Sequence, residues 1–225
     1  MNFKQENISA IILAAGYSSR MGDYKPLMRL GPYRAIEHAV RCFFKAGVPD
    51  VRVVVGFRAE EVVEAVRPLG ARVVFNPDFE QGMYSSVQAG VRTLEQGVQA
   101  FFILPVDNPL VAHTTVERII DCSLQGQHDI IYPVFNGRRG HPPLISTKYK
   151  DKILHGAHQD GLRGLLNLYE REAFNIEVRD EAVLLDMDTQ EDYHYLLNYF
   201  YRRTIPTLDE CWQILREARI DEQVK

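Results

Sequence analysis

Ile11-Ile12-Leu13-Ala14-Ala15-Gly16-Tyr17-Ser18-Ser19-Arg20-Met21-Gly22-Asp23-Tyr24-Lys25 reads as a buried strand running into a phosphate-cradling loop. The apolar run 11–13 suits a strand covered on both faces. From Ala14 to Gly22 nearly every residue is small or polar, so backbone N–H groups can approach a ligand, and Gly16 and Gly22 are expected to permit positive φ. Arg20 and Lys25 add fixed positive charge beside those amides, the pairing that a triphosphate requires. The stretch is not the dinucleotide fingerprint G-x-G-x-x-G. Nor is it a Walker A loop, because five residues separate Gly16 from Gly22 and Asp23 stands where lysine should follow. An ordinary Gly/Ser-rich turn is the competing reading of this stretch taken alone.

Downstream, Ile36, Val40, Phe43 and Phe44 recur at helical spacing within 33–47, and Gly47 ends that helix. Residues 51–56 form a second strand, 60–69 a helix that turns Val62, Val63 and Val66 inward, and 72–75 a third strand. The alternation indicates a parallel, doubly wound sheet. After the turn Asn76-Pro77-Asp78-Phe79, the second half of 81–90 reads as a helix whose first turn holds Gly82, Ser85 and Ser86. Orphan N–H groups and hydroxyls there suit a base edge, a ribose or a phosphate, with a plain serine cap as the alternative.

Residues 100–104 are the most apolar strand, hence central, and deliver Asp107 just past its carboxyl end, where open α/β sheets place their chemistry. A carboxylate there is a natural Mg²⁺ ligand or, more blandly, a cap for the helix over 114–124. Strand 130–134 leads into a basic, glycine-rich loop, 135–144, in which Arg139 and His141 suit an anionic second substrate; a hairpin turn with solvated arginines is the alternative. Residues 149–154 and 162–169 read as short helices. His155 and His158 between them lack a third ligand and are read as a surface loop. Residues 177–178 and 183–185 are read as late strands, the second running into Asp186-Met187-Asp188 with Thr189 as a helix cap. Asp188 is thus a second carboxylate able to meet Asp107 over one metal, or, taken alone, part of an ordinary helix start. A helix over 193–203 closes the domain. Residues 204–206 break the pattern, and Thr207 to Glu210 form a capping box before the apolar stripe Leu208, Cys211, Trp212, Leu215.

The chain has 225 residues, 46% hydrophobic and 25% charged, with a formal net charge of −4. That is enough for one sizeable α/β domain or two small ones, and the negative net charge argues against bulk nucleic-acid binding. Cys42, Cys122 and Cys211 are scattered and odd in number, fitting reduced thiols. The leader 1–7 has no apolar h-region and no later run reaches membrane-spanning length. The expectation is a cytoplasmic protein with no membrane or nucleic-acid partner.

Taken together, Leu13-Ala14-Ala15-Gly16-x-Ser18-x-Arg20-Met21-Gly22 with Lys25, Asn76-Pro77, Gly82-Met83-x-Ser85-Ser86, Leu104-x-x-Asp107-x-Pro109, Gly140-His141-Pro142 and Asp186-x-Asp188-Thr189 resemble the molybdenum-cofactor nucleotidyltransferases of the wider nucleoside-triphosphate transferase family. The likeness spans roughly residues 8 to 200. It implies a three-layer α/β/α sandwich, Rossmann-like around a mixed, mostly parallel sheet over 1–203, and Mg²⁺-dependent transfer of a nucleoside monophosphate with release of pyrophosphate. The Ala14-Ala15-Gly16 form of the loop resembles the CTP-using branch, with a molybdopterin-type phosphate as acceptor. Family members often carry Ala-Asp-Met-Pro where this chain has Val106-Asp107-Asn108-Pro109, with Asp107 in register.

The resemblance assigns Arg20 and Lys25 to the triphosphate, Asp107 and Asp188 to Mg²⁺, and Arg139 and His141 to the acceptor. Leu13, Ala14, Ala15, Gly16, Ser18, Gly22, Asn76, Gly82, Ser85 and Ser86 would bind the nucleotide. Residues 207–219 are similar to the segment entering a His-Asp phosphohydrolase domain in fused proteins, so a fused domain or a molybdoenzyme is the implied protein partner. The rival readings are a sugar- or alditol-phosphate nucleotidyltransferase and a nucleotide sensor without turnover.

Overall fold

The computed structural model describes residues 4–126, 128–156 and 160–204. In chain order its strands are β1 (Ile8–Ala14), β2 (Arg29–Leu30), β3 (Tyr33–Arg34), β4 (Asp50–Val55), β5 (Arg72–Phe75), β6 (Ala100–Pro105), β7 (Ile130–Phe135), β8 (Arg138–Arg139), β9 (Leu144–Ser146) and β10 (Ala173–Glu177). Its helices are α1 (Ala35–Lys45), α2 (Ala59–Val66), α3 (Met83–Arg92), α4 (His113–Gln125), α5 (Lys150–His155), α6 (Gly161–Asn167) and α7 (Gln190–Thr204).

β1 is buried along its whole length and lies parallel between β4 and β6. The main sheet runs β5-β4-β1-β6-β9-β7-β10, with β8 paired to β7. Only β9 and the short β8 run antiparallel to their neighbours, so the sheet is mixed but mostly parallel. Strand periodicity divides the core. Ile8, Ala10, Ile12 and Ala14 pack with Phe102 and Leu104 of β6 against α1, α2 and α4 on one face. Ile11 and Leu13 pack with Phe101 and Ile103 against α3, α5 and α6 on the other. The result is the expected three-layer sandwich.

From β1 the chain moves through α1 to β4 and through α2 to β5, then returns by α3 to β6 on the opposite side of β1. The crevice outside the carboxyl ends of β1 and β6 is therefore a topological switch point. α7 packs beside it, burying Leu196 against Met21, Leu30, Ala35 and Met187.

The structure corrects four sequence expectations. β2 and β3 form a small antiparallel hairpin, so α1 starts at Ala35 rather than at 33. Residues 183–185 are not a strand: Glu181–Leu184 is a single 3-10 turn, apolar because Val183 fills the core beside the sheet. The late strand is Ala173–Glu177 rather than 177–178, and the three-residue β9 was not anticipated. α7 begins at Gln190, before 193. Ala157 to Gln159, including His158, and the break, capping box and apolar stripe expected beyond Thr204 lie outside the described residues. Among the described residues no helix is long and apolar enough to cross a membrane.

Candidate active site

A cavity of about 330 Å³ opens at the switch point, between the loop after β1, the segment before α3 and the end of β6. The loop folds on its own contacts. Ser18 takes a left-handed conformation (φ 59°), its carbonyl accepts the Met21 N–H at 3.1 Å and its hydroxyl accepts the Lys25 N–H at 3.1 Å. Gly22 has the expected positive φ, whereas Gly16 does not; a Cβ on Gly16 would project into open space, so its smallness keeps the cavity clear. Tyr24 donates its hydroxyl to the Phe57 carbonyl at 2.5 Å, and burial pushes its pKa up to about 12, so it stays a donor at neutral pH. Lys25 is thereby carried inward until it is only 8% exposed.

Opposite the lysine, two segments are locked to present carboxylates. The Asp107 carbonyl accepts the Met187 N–H at 2.9 Å, and Asn108 donates to the Leu185 carbonyl at 3.1 Å and to Asp186 Oδ1 at 2.6 Å. Asn108 thus has a structural duty, tying the end of β6 to residues 185–188. Thr189 is the cap anticipated for α7: its Oγ1 accepts the Asp192 N–H, and the Asp192 carboxylate accepts the N–H groups of Asp188 and Thr189.

As a result Lys25 Nζ stands 2.6 Å from Asp188 Oδ1 and 3.7 Å from Asp107 Oδ2, and Arg20 Nη2 lies 3.2 Å from Asp188 Oδ2. Burial raises the Asp107 pKa, Lys25 opposes that rise, and Asp186 and Asp188 add to it. The hydrogen bond from Lys25 holds Asp188 below the usual carboxylate range. Among the described residues no three His, Cys, Asp or Glu side chains gather as a complete metal cage. A pair of carboxylates converging on one buried ammonium does suit Mg²⁺, which takes one or two carboxylates and completes its shell with phosphate oxygens and water.

The other end of the cavity is lined by Tyr17, Phe79, Glu80, Gly82, Met83 and Ser86. Gly82 (φ 97°) starts α3 in a conformation that disfavours other residues. Asn76 is buried and donates to Ser85 Oγ at 2.9 Å and Ser86 Oγ at 3.0 Å, bracketing the first turn of α3 to the end of β5. Of the residues assigned to nucleotide and metal, Leu13, Ala14, Gly16, Ser18, Arg20, Lys25, Gly82, Ser86, Asp107 and Asp188 line the cavity, while Ala15, Gly22, Asn76 and Ser85 are not part of its lining. Tyr17, Ser19, Pro26, Phe79, Glu80, Met83, Pro105 and Val106 complete the lining and were missed. Their position inside the loop or beside a recognised motif residue was the one available signal.

The structure does not bring Arg139 or His141 into that lining. Arg139 forms a bidentate pair with Glu170 at 2.6 and 2.7 Å, donates to Asn175 and lies over the Tyr132 ring. His141 is half-buried with its Nδ1 atom enclosed and unpartnered, its pKa is lowered by desolvation, and its backbone N–H donates to the Val183 carbonyl at 2.8 Å. Gly140 explains that approach, because a Cβ there would strike the Val183 carbonyl and lie 2.8 Å from Val183 Cβ. Gly140→Ala should destabilise the fold by about 1–3 kcal/mol and lower activity by displacing the segment that carries Asp188. An unchanged urea midpoint would refute the packing argument.

Over 187 residues the chain is 26% identical to the molybdenum cofactor cytidylyltransferase of Escherichia coli (strain K12), covering 83% of this chain and 93% of the relative. It is 29% identical over 199 residues to the nicotine blue oxidoreductase of Paenarthrobacter nicotinovorans, covering 84% and 96%. Among solved structures, a nucleotidyl transferase from Methanothermobacter thermautotroptrophicus superposes with a TM-score of 0.76 at 25% identity, covering 88% of this chain and 99% of that one. Residues 10–176 match the family described as the MobA-like NTP transferase domain. The chain therefore belongs to that family and is a nucleotidyltransferase.

Proposed function

We propose that this enzyme transfers CMP from CTP to the phosphate of a molybdopterin-type acceptor and releases pyrophosphate. The observation that carries the reading is the placement of buried Lys25 between Asp107 and Asp188, with Arg20 beside it, at the switch point. The reaction joins two anions: an acceptor phosphate oxygen attacks the α-phosphorus, a new P–O bond forms, and the α–β bridging bond breaks with its electron pair leaving on pyrophosphate. Such chemistry asks for alignment and charge neutralisation rather than a strong base.

Arg20 and Lys25 would offset the triphosphate charge, and the loop 14–22 would wrap it. Asp107 and Asp188 would hold Mg²⁺, which when bound supplies charge neutralisation to the phosphate oxygens. A second cavity of about 270 Å³, lined by Leu184, Leu185, Asp186, Asp188, Asp192, Tyr195 and Leu196, shares Asp188 with the first. A molecule entering there would meet the nucleotide at that carboxylate. The CTP assignment is supported by the Ala14-Ala15-Gly16 loop and by the likeness to a cytidylyltransferase over most of the chain.

The test is pyrophosphate release with Mg²⁺ and molybdopterin, supplying CTP, GTP, ATP and UTP separately. Release with CTP is the expected result, and release with a different nucleotide alone would overturn the base. Turnover with a sugar or alditol phosphate instead of molybdopterin would overturn the acceptor. Tight Mg²⁺–NTP binding with no pyrophosphate from any acceptor would make the protein a sensor.

A further inference from the structure

The cavity wall formed by the loop after β1 and the turn before α3 carries a hydrogen bond with no part in the chemistry above. Tyr17, in the loop after β1, donates its hydroxyl to Glu80 Oε1 at 2.6 Å, and Glu80 lies in the 3-10 turn Phe79–Gln81 ahead of α3. Sixty-three positions apart in sequence, the two side chains link the two segments that line the cavity. Neither residue is buried for packing: Tyr17 is 47% exposed and Glu80 is exposed as well. A surface tyrosine–carboxylate bond contributes little to stability, so its position on a cavity wall needs another account.

The wall around it is rigid and aromatic. The Tyr17 ring packs against Phe57 and Phe79 with centroids 5.0 and 5.4 Å apart. Phe79 is seated against the end of β4, where a Cβ on Gly56 would lie 2.6 Å from its ring. Met83, also exposed, continues the lining. Arg20, Lys25, Asp107 and Asp188 claim the triphosphate and metal, so the uncharged part of the nucleotide falls to this aromatic wall. Stacking on aromatic faces suits any base. Selectivity then calls for a polar group, and among the described side chains that line this end, Tyr17, Phe79, Glu80, Met83 and Ser86, Glu80 carries the carboxylate, a group that only accepts hydrogen bonds.

We propose that Glu80, oriented by Tyr17, reads an exocyclic amine on the nucleobase and so favours CTP over UTP. An ionised carboxylate only accepts hydrogen bonds. Cytosine presents an amino donor where uracil presents a carbonyl acceptor, so Oε2, left over once Tyr17 has taken Oε1, attracts the first and repels the second. The hydrogen bond to Glu80 also raises the Tyr17 pKa, which keeps the phenol a donor at neutral pH and the carboxylate in place. Tyr17 is the positioning residue and Glu80 the specificity residue. This inference rests on the nucleotidyltransferase reading with CTP as substrate.

The experiment measures Mg²⁺-dependent binding of CTP and UTP, by calorimetry, to wild type, Glu80→Gln, Glu80→Ala and Tyr17→Phe. Wild type should prefer CTP, and Glu80→Gln, whose amide both donates and accepts, should cut the CTP/UTP ratio about tenfold, mainly by improving UTP. Tyr17→Phe should lower the ratio less while leaving triphosphate-dependent affinity in place. A merely structural role would weaken both nucleotides alike and leave the ratio unmoved. A wild-type preference for CTP that survives in Glu80→Gln and Glu80→Ala overturns the assignment of Glu80 but not nucleotidyl transfer. Failure of wild type to bind CTP, while it binds another triphosphate, overturns the underlying choice of nucleotide instead.

Discussion

Lys25→Ala should lower kcat/KM for pyrophosphate release by about 10²–10³-fold, the scale seen when a preorganised electrostatic group is removed from an active site. The lysine is the most deeply placed cation in the cavity, held between two carboxylates and fixed by its own backbone bond to Ser18. Its removal separates two effects of opposite sign. The triphosphate loses a cation, so turnover falls. Asp107 and Asp188 lose the ammonium that neutralises them, so Mg²⁺ in the absence of nucleotide should bind more tightly than in wild type. Titration of Mg²⁺ beside turnover checks both. Wild-type turnover would refute the role of Lys25; lower turnover with weakened metal binding would mean that Lys25 supports the carboxylates rather than competing for them. Lys25→Arg should not restore activity, because the planar guanidinium does not fit where a single compact ammonium reaches both partners.

Asp107→Asn should cost a comparable 10²–10³-fold in turnover and weaken Mg²⁺ binding. The substitution is isosteric and preserves the backbone carbonyl that accepts from Met187. Burial and two neighbouring aspartates already raise the Asp107 pKa, which marks its charge as costly in the folded protein. The melting temperature of Asp107→Asn should therefore stay level or rise while activity collapses, the exchange of stability for function expected of a strained charge. Loss of activity together with a large fall in melting temperature would point to a structural carboxylate.

The parts legible in the sequence were those in which one physical cause dominates. β1, β4 and β6 announce themselves as largely apolar runs, broken by Ser9 in β1 and Arg52 in β4, because each is covered on both faces. Arg20, Lys25 and Asp107 were picked out by their place just past β1 and β6, and Asp188 by its place after an apolar run that is a 3-10 turn rather than a strand; the fold brings all four together. β9 escaped because three residues after Pro142-Pro143 carry no period to detect, although that insertion is what makes the sheet mixed. Val183-Leu184-Leu185 misled because burial in a 3-10 turn demands the same apolar residues as a strand. Arg139 was attractive as a cation in a glycine-rich loop, but its partner Glu170 lies 31 residues away, beyond any local pattern. Glu80 was invisible for the opposite reason: one exposed carboxylate means nothing until Tyr17 is seen against it.

The ion pair of Lys25 with Asp188 joins residues 163 positions apart. Its geography sets an order of events during synthesis. At about 5–20 residues per second, the phosphate loop waits roughly 8–30 seconds for the carboxylate that completes it. Before then a nascent chain already has the core strands β1, β4 and β6 but lacks Asp188, the Asn108 clamp's partners and the Thr189–Asp192 box. A chain stalled before residue 185 would therefore lack both the carboxylate that completes the phosphate loop's ion pair and the segment that Asn108 ties to the end of β6.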